Sequence, residues 1–135
     1  MIYFVSGHRD LTQEEFKEHY VPIIEEIIKK DMCCEFVVGD WEGCDTMFIE
    51  YILLKHHYPK ITIYYVGTPR VSPFGVPITS FKRVHYYFCK DYDECDYSMT
   101  CNSNFDIAWI RPGKEDSHTA KNIKRRHIGK MTKTV

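Results

Sequence analysis

No apolar run in this chain approaches the ~20 residues that a membrane-spanning helix needs, so no membrane partner is expected. Charge of one sign is also lacking. Eighteen Lys and Arg stand against 19 Asp and Glu, a net charge of −1, so the summed field does not point to nucleic acid. The pattern GxxxxGK[ST] is absent, which leaves P-loop phosphoryl transfer without support. GxGxxG is absent, which argues against a dinucleotide dehydrogenase, and no serine occupies a nucleophile elbow. No CxxC pair occurs and no Cys/His group has zinc spacing, so neither a metal nor any other cofactor is expected. The opening MIYFVSGHRD lacks the basic start and the apolar length of a secretory leader. A cytoplasmic location is therefore expected, with the six cysteines as free, mostly buried thiols.

What the chain does have is an ordinary globular balance, 44% hydrophobic and 27% charged over 135 residues, which suits one domain. Ile2 to Ser6 is a short apolar run stopped by Gly7, a buried-strand pattern. DLTQEEFKEHYVPIIEEIIKKD follows with helical spacing. Thr12 and Glu15 predict a capping box, and Phe16, Tyr20, Ile23, Ile24, Ile27 and Ile28 form the inward stripe. Pro22 should kink or split this helix. Cys34 to Val38 reads as the second strand, Asp45 to about Lys55 as a helix with Phe48 and Ile52 inward, and KITIYYVG as the third strand. Pro69, Pro73, Gly75 and Pro77 mark residues 68–79 as a loop, long enough to be a lid. SFKRVHYYFCKD is ambiguous between extended and mixed structure. DYDECDYSMTC reads as a helix ended by Asn102 or Asn104, FDIAWIR as a strand, PGKEDSH as a loop and TAKNIKRRH as a final helix. Strands about thirty residues apart, joined by helices, imply parallel pairing. The expected fold is α/β, three-layered and Rossmann-like, with a mainly parallel sheet of four to five strands flanked by helices. Residues 1–128 form the domain, and 129–135 form a basic tail expected to be disordered.

In an open parallel sheet, ligands bind in the crevice beyond the carboxyl ends of the strands. Three loops fall there: SGHRD, GDWEGCD and RPGKEDSHT. Each sets glycine beside polar residues and leads into a helix, whose free amides suit anions. Gly7 makes the first turn, and Arg9, after His8, offers a forked donor for phosphate or carboxylate, or a salt bridge with Asp10. Gly39 and Gly43 allow close backbone approach. Asp40 and Glu42 could meet a ribose hydroxyl or be wet loop acids. Asp45 could serve the ligand or cap the helix, and Trp41 could stack on a base or on a neighbour. Ser117 and Thr119 put hydroxyls at a helix start, where one of them could be a simple cap. His19, His56, His57 and His85 read as surface or packing residues.

The order FVSGHRDLT, FVVGDWEGCDTMFIEYIL, DYSM, FDIAWI, SHTAKNI resembles the SLOG superfamily of Rossmann-like nucleotide-binding domains, and within it the YspA/YpsA-related branch. The resemblance spans about Tyr3 to Arg126. Gly7-His8-Arg9 matches the family's first turn, and Gly39, Gly43 and Asp45 match its second loop. Asp96 and Met99 match a third element, where Cys95 replaces the family's arginine. Ser117-His118-Thr119 matches the last turn, with His118 in place of glycine. The resemblance implies a nucleotide, a nucleoside phosphate or a nucleotide-derived signal in the crevice, and makes a homo-oligomer plausible. Family members that cleave N-glycosidic bonds use a glutamate three residues after the last threonine. Asn122 stands there in this chain, and an amide cannot be the nucleophile or base.

Three functions are therefore expected in turn. The first is a nucleotide-binding module using Gly7, His8, Arg9, Gly39, Asp40, Gly43, Asp45, Ser117, His118 and Thr119. The second is an N-glycoside hydrolase of nucleoside monophosphates, with Asp45, Asp40 or Asp96 as the acid in place of position 122, and Glu50 set too far into its helix. The third is an interaction protein with a vestigial crevice. Nucleic acid enters only as a contact for the six Lys and Arg of KNIKRRHIGKMTKTV, which otherwise read as a solvated helix and frayed end.

Overall fold

Five segments of the computed structural model are strands: β1 (Ile2–Ser6), β2 (Glu35–Val38), β3 (Lys60–Val66), β4 (Val84–Cys89) and β5 (Phe105–Ala108). They form one sheet in the order β4-β3-β2-β1-β5, with every neighbouring pair parallel. The helices are α1 (Gln13–His19), α2 (Val21–Lys30), α3 (Cys44–Lys55), α4 (Tyr92–Cys101) and α5 (His118–Lys133). The structure describes residues 1–69 and 82–133, with side chains through Arg126. Nearly all of the 68–79 loop, and with it the question of a lid, lies outside the described residues.

Right-handed crossovers decide which face each helix covers. The chain steps one way from β1 through β2 to β3, so α1, α2 and α3 fall on one face. It then returns across the sheet to β5, which puts α4 on the other. The alternating strand residues obey this split. Val5, Phe36, Val38, Ile61 and Ile63 pack with Phe16, Tyr20, Ile24, Ile28, Phe48, Ile49 and Ile52. Phe4, Val37 and Tyr64 point the opposite way, toward Cys89, Cys95 and Met99. The result is the three-layer, Rossmann-like α/β fold, with a sheet that is wholly parallel.

Local chemistry sets the boundaries. Thr12 and Glu15 form the capping box in both directions, at 3.1 and 3.0 Å. The predicted helix splits at Tyr20, with Pro22 in the first turn of α2, where its missing amide proton costs nothing. Ile23 departs from the expected stripe and is 46% exposed, while Phe16, Tyr20, Ile24 and Ile28 keep the buried i, i+4 row across the break. Asp91 caps α4 by accepting from the Glu94 amide at 2.8 Å. The ambiguous segment is edge strand β4, whose His85, Tyr87 and Phe88 face solvent. The final helix runs past the expected TAKNIKRRH, through Lys133 and so into most of the stretch expected as a tail. No helix among the described residues is long and apolar enough to cross a membrane.

Four of the six cysteines are buried, as expected, but they are not all thiols. Cys89 and Cys95 form a disulfide between the end of β4 and the first turn of α4, while Cys33 and Cys101 are exposed. Cys34 and Cys44 are buried thiols. Strand end and helix start meet only after the fold has turned the chain back. Reduction, or Cys89→Ser, should lower unfolding free energy by about 2 kcal/mol, the loop-closure magnitude for so short a loop. Urea unfolding with and without reductant measures this, and coincident curves would contradict it.

Candidate active site

β1 and β2 both end on the same rim, and α3, α4 and α5 close over it. A cavity of about 280 Å³ opens there, lined by Ser6, Gly7, Arg9, Gly39, Asp40, Trp41, Asp45, Tyr64, Tyr92, Cys95, Asp96, Met99, His118, Thr119 and Asn122 over Phe4. Its size is at the lower end for small-molecule sites, which run from about 300 Å³ upward. The sheet supplies the floor because Phe4, Ser6 and Tyr64 share one face. The expected loops supply the walls.

Three carboxyl groups meet in this cavity. Asp40 is 1% exposed and Asp45 is 9% exposed, and Asp96 enters half-buried from α4. Asp45 does not cap α3. Its Oδ2 accepts from the Trp41 amide at 3.1 Å, and α3 begins at Gly43 without a side-chain cap. Gly39 makes room for this arrangement, since a Cβ there would stand 2.7 Å from Asp45 Oδ2. Burial pushes the Asp45 carboxyl up to about 7, the Trp41 amide opposes the rise, and Asp40 and Asp96 add to it. Asp96 is also raised, mainly by burial, while Arg125 and His118 pull it back. These carboxyls surround the cavity without chelating geometry. Among the described residues, no three His, Cys, Asp or Glu side chains are placed to hold a metal ion.

The mouth is aromatic and basic. Trp41 packs on Tyr92 with ring centroids 5.1 Å apart, and the Arg9 guanidinium lies 4.7 Å from the Trp41 ring centre. Arg9 is not the partner of Asp10. That role belongs to Arg111, whose guanidinium donates to Asp10 at 3.0 Å and to Glu15 at 2.8 Å. The Arg111 contact holds Glu15 down at about 2.

Not every expected residue reaches the cavity. His8 sits behind it, with Nε2 accepting from the Arg111 amide at 2.8 Å, and burial followed by Arg111 lowers its pKa. Gly43 shapes the turn, with φ of 79°. Ser117 caps α5 by accepting from the Ala120 amide at 3.3 Å, whereas His118 and Thr119 face the cavity. Glu42 and Glu50 do not line it. Asn122 is buried on the cavity wall, and its Oδ1 accepts from Arg125 at 2.7 Å. Of the histidines read as packing residues, His19 stacks on Trp109 at 4.0 Å and His56 bonds Glu25 at 3.0 Å.

Sequence reasoning missed Ser6, Tyr64 and Tyr92 as lining residues. Ser6 had a legible signal, since it shares strand parity with Phe4. Tyr20 was read only as core, yet its hydroxyl donates to the Ser6 carbonyl at 2.7 Å and accepts from the Trp109 amide at 3.0 Å. It therefore joins the ends of β1 and β5 under the site. No family model, no curated protein and no solved structure matches this chain.

Proposed function

We propose that the strand-end crevice binds a nucleoside or nucleoside phosphate and hydrolyses its N-glycosidic bond. The observation that carries this reading is the convergence of Asp40, Asp45 and Asp96, from three separate places in the chain, on one small cavity. Burying carboxyls is costly, and carboxyls whose pKa burial perturbs in a cleft cluster at functional sites, where one can act as acid and another as carboxylate. The resemblance to the SLOG superfamily agrees with a nucleoside-type ligand, and Trp41 with Tyr92 offers a stacking surface for the base.

Asp45, titrating at about 7, keeps a proton available at neutral pH. It gives that proton to the leaving base nitrogen as the C–N bond breaks and its electron pair goes to the base. Asp96, raised on balance by its burial but with Arg125 and His118 favouring its carboxylate, stabilises in that ionised form the positive charge that develops on the sugar. The oxygen of a water molecule bonds to the anomeric carbon. Its proton passes to a carboxylate of the cluster, and exchange with solvent restores Asp45. The products are free base and free sugar from a nucleoside, or free base and sugar phosphate from a nucleoside phosphate.

A second reading, a binding module without turnover, is favoured by Asn122. It stands where the resemblance puts a catalytic glutamate and engages Arg125 instead. Incubating the protein with ribonucleosides and their 5′-monophosphates, with chromatography for free base, separates the two. Base release is expected. A nucleotide that raises the melting temperature with no base released would sink the hydrolase and leave the binding module.

A further inference from the structure

Ser6 ends β1 in register with Ala108 of β5 and lies on the cavity side of the sheet. It is 7% exposed, and its Oγ has no hydrogen-bond partner among the described residues. Its carbonyl is already taken by Tyr20, so only the hydroxyl is unsatisfied. Buried hydroxyls are normally paired, and an unpaired one on a residue that lines a cavity marks a place for a ligand hydroxyl. A hydroxyl both gives and accepts, so its natural complement is another hydroxyl.

The groups around Ser6 restrict what that ligand carries. Asp45 and Asp96 line the same cavity and, when ionised, only accept hydrogen bonds. A phosphate brings about −1.5 to −2 charges and further acceptor oxygens, so it would meet repulsion from the ionised carboxylates and, of these two side chains, find a donor only in the protonated form of Asp45. Of the positive groups, Arg9 lines the same cavity and Arg125 acts on Asp96 from α5. Arg9 is at the mouth over Trp41, and Arg125 donates to Asn122.

We propose that the cavity floor seats a sugar bearing free hydroxyls and no phosphate, held by hydrogen bonds to Ser6, Asp45 and Asp96. This rests on the N-glycoside reading above and narrows it to nucleosides. Ser6 is then a specificity-determining residue, since a site that pairs a ligand hydroxyl rejects a partner that leaves its own buried group open.

The test uses the full chain with the four ribonucleosides and their 5′-monophosphates, read by thermal shift and by base release. At least one nucleoside should be cleaved with a kcat/KM about tenfold or more above that of its monophosphate. Ser6→Ala should lower kcat/KM for that nucleoside by about tenfold without lowering the melting temperature, because the hydroxyl has no partner to lose. Asp96→Asn should narrow the gap between nucleoside and monophosphate. A monophosphate cleaved better than its nucleoside overturns this inference and leaves the N-glycoside reading standing. A Ser6→Ala protein with unchanged kcat/KM removes Ser6 from the seat. A nucleoside that binds better than its monophosphate but releases no base supports the seat and sinks the hydrolase. Silence of all eight compounds in both assays overturns both.

Discussion

Asp45→Asn should abolish base release while making the protein more stable above neutral pH. The two effects have one cause. Asp45 is enclosed, and loss of its proton leaves a charge with little solvent and with Asp40 and Asp96 nearby. Its folded-state value of about 7 lies above the ordinary carboxylate value, so the folded state binds the extra proton. Stability from this group is therefore complete below about pH 4, falls as pH rises, and is lost once pH passes about 7. A shift of about three pKa units corresponds to about 4 kcal/mol, the upper limit of what Asn could recover at pH 8. Asn keeps an oxygen for the Trp41 amide, so the turn at Gly39 is retained. At pH 4 the gain should vanish. Activity moves the other way, because an amide has no proton to give, and losing a general acid costs about 10²–10⁴ in rate. In the wild type, kcat should fall as pH rises through about 7. Urea unfolding at pH 4 and 8, with chromatography of released base, reads both. A wild-type stability that is flat across that range, or a variant that still releases base at the wild-type rate, would remove Asp45 from the acid's role.

The same residue illustrates how far sequence carries. Gly39, Asp40, Gly43 and Asp45 sit together in the chain, and an apolar run ending at glycine marks a strand end. That loop was therefore legible as site material. Asp96 lies on α4, more than forty residues downstream, and only the crossover back over the sheet brings it to the same cavity. The capping box at Thr12 and the split at Pro22 were legible because each is decided within one helical turn. β4 was not, because an edge strand lacks the continuous apolar pattern of a central one and exposes Tyr87 and Phe88. For a similar reason, Arg9 does not take Asp10 as its partner. Asp10 adjoins Arg9 in the chain, yet the loop after β5 delivers Arg111 to it. Charge pairing read along the chain misses such long-range partners. Ser6 stood inside SGHRD, and only its strand parity with Phe4 marks it as a lining residue rather than the last residue of an apolar run.

Gly43→Ala should cost about 3 kcal/mol or more and should disable the site with the fold. Two terms add. At φ 79° and ψ −125°, Gly43 occupies backbone space that side-chain-bearing residues avoid, at a cost of about 1–3 kcal/mol. An added Cβ would also overlap the backbone of Arg9, including its carbonyl oxygen. Backbone cannot rotate aside as a side-chain tip can, so the loop after β1 must move. That loop is fastened to α3 by the Cys44 amide donating to the His8 carbonyl at 3.2 Å, and moving it breaks the bond. Arg9 then leaves Trp41, and the mouth loses its basic edge. Gly113→Ala is the matched control. Its φ of 89° carries the same handedness, but a Cβ there meets nothing within 4 Å. It should cost only the dihedral term, about 1–2 kcal/mol, and leave base release intact. Urea unfolding of the two variants isolates the Arg9 contact as their difference. Equal losses would mean that the two loops do not touch at Gly43, and the cavity they enclose would lose its near wall.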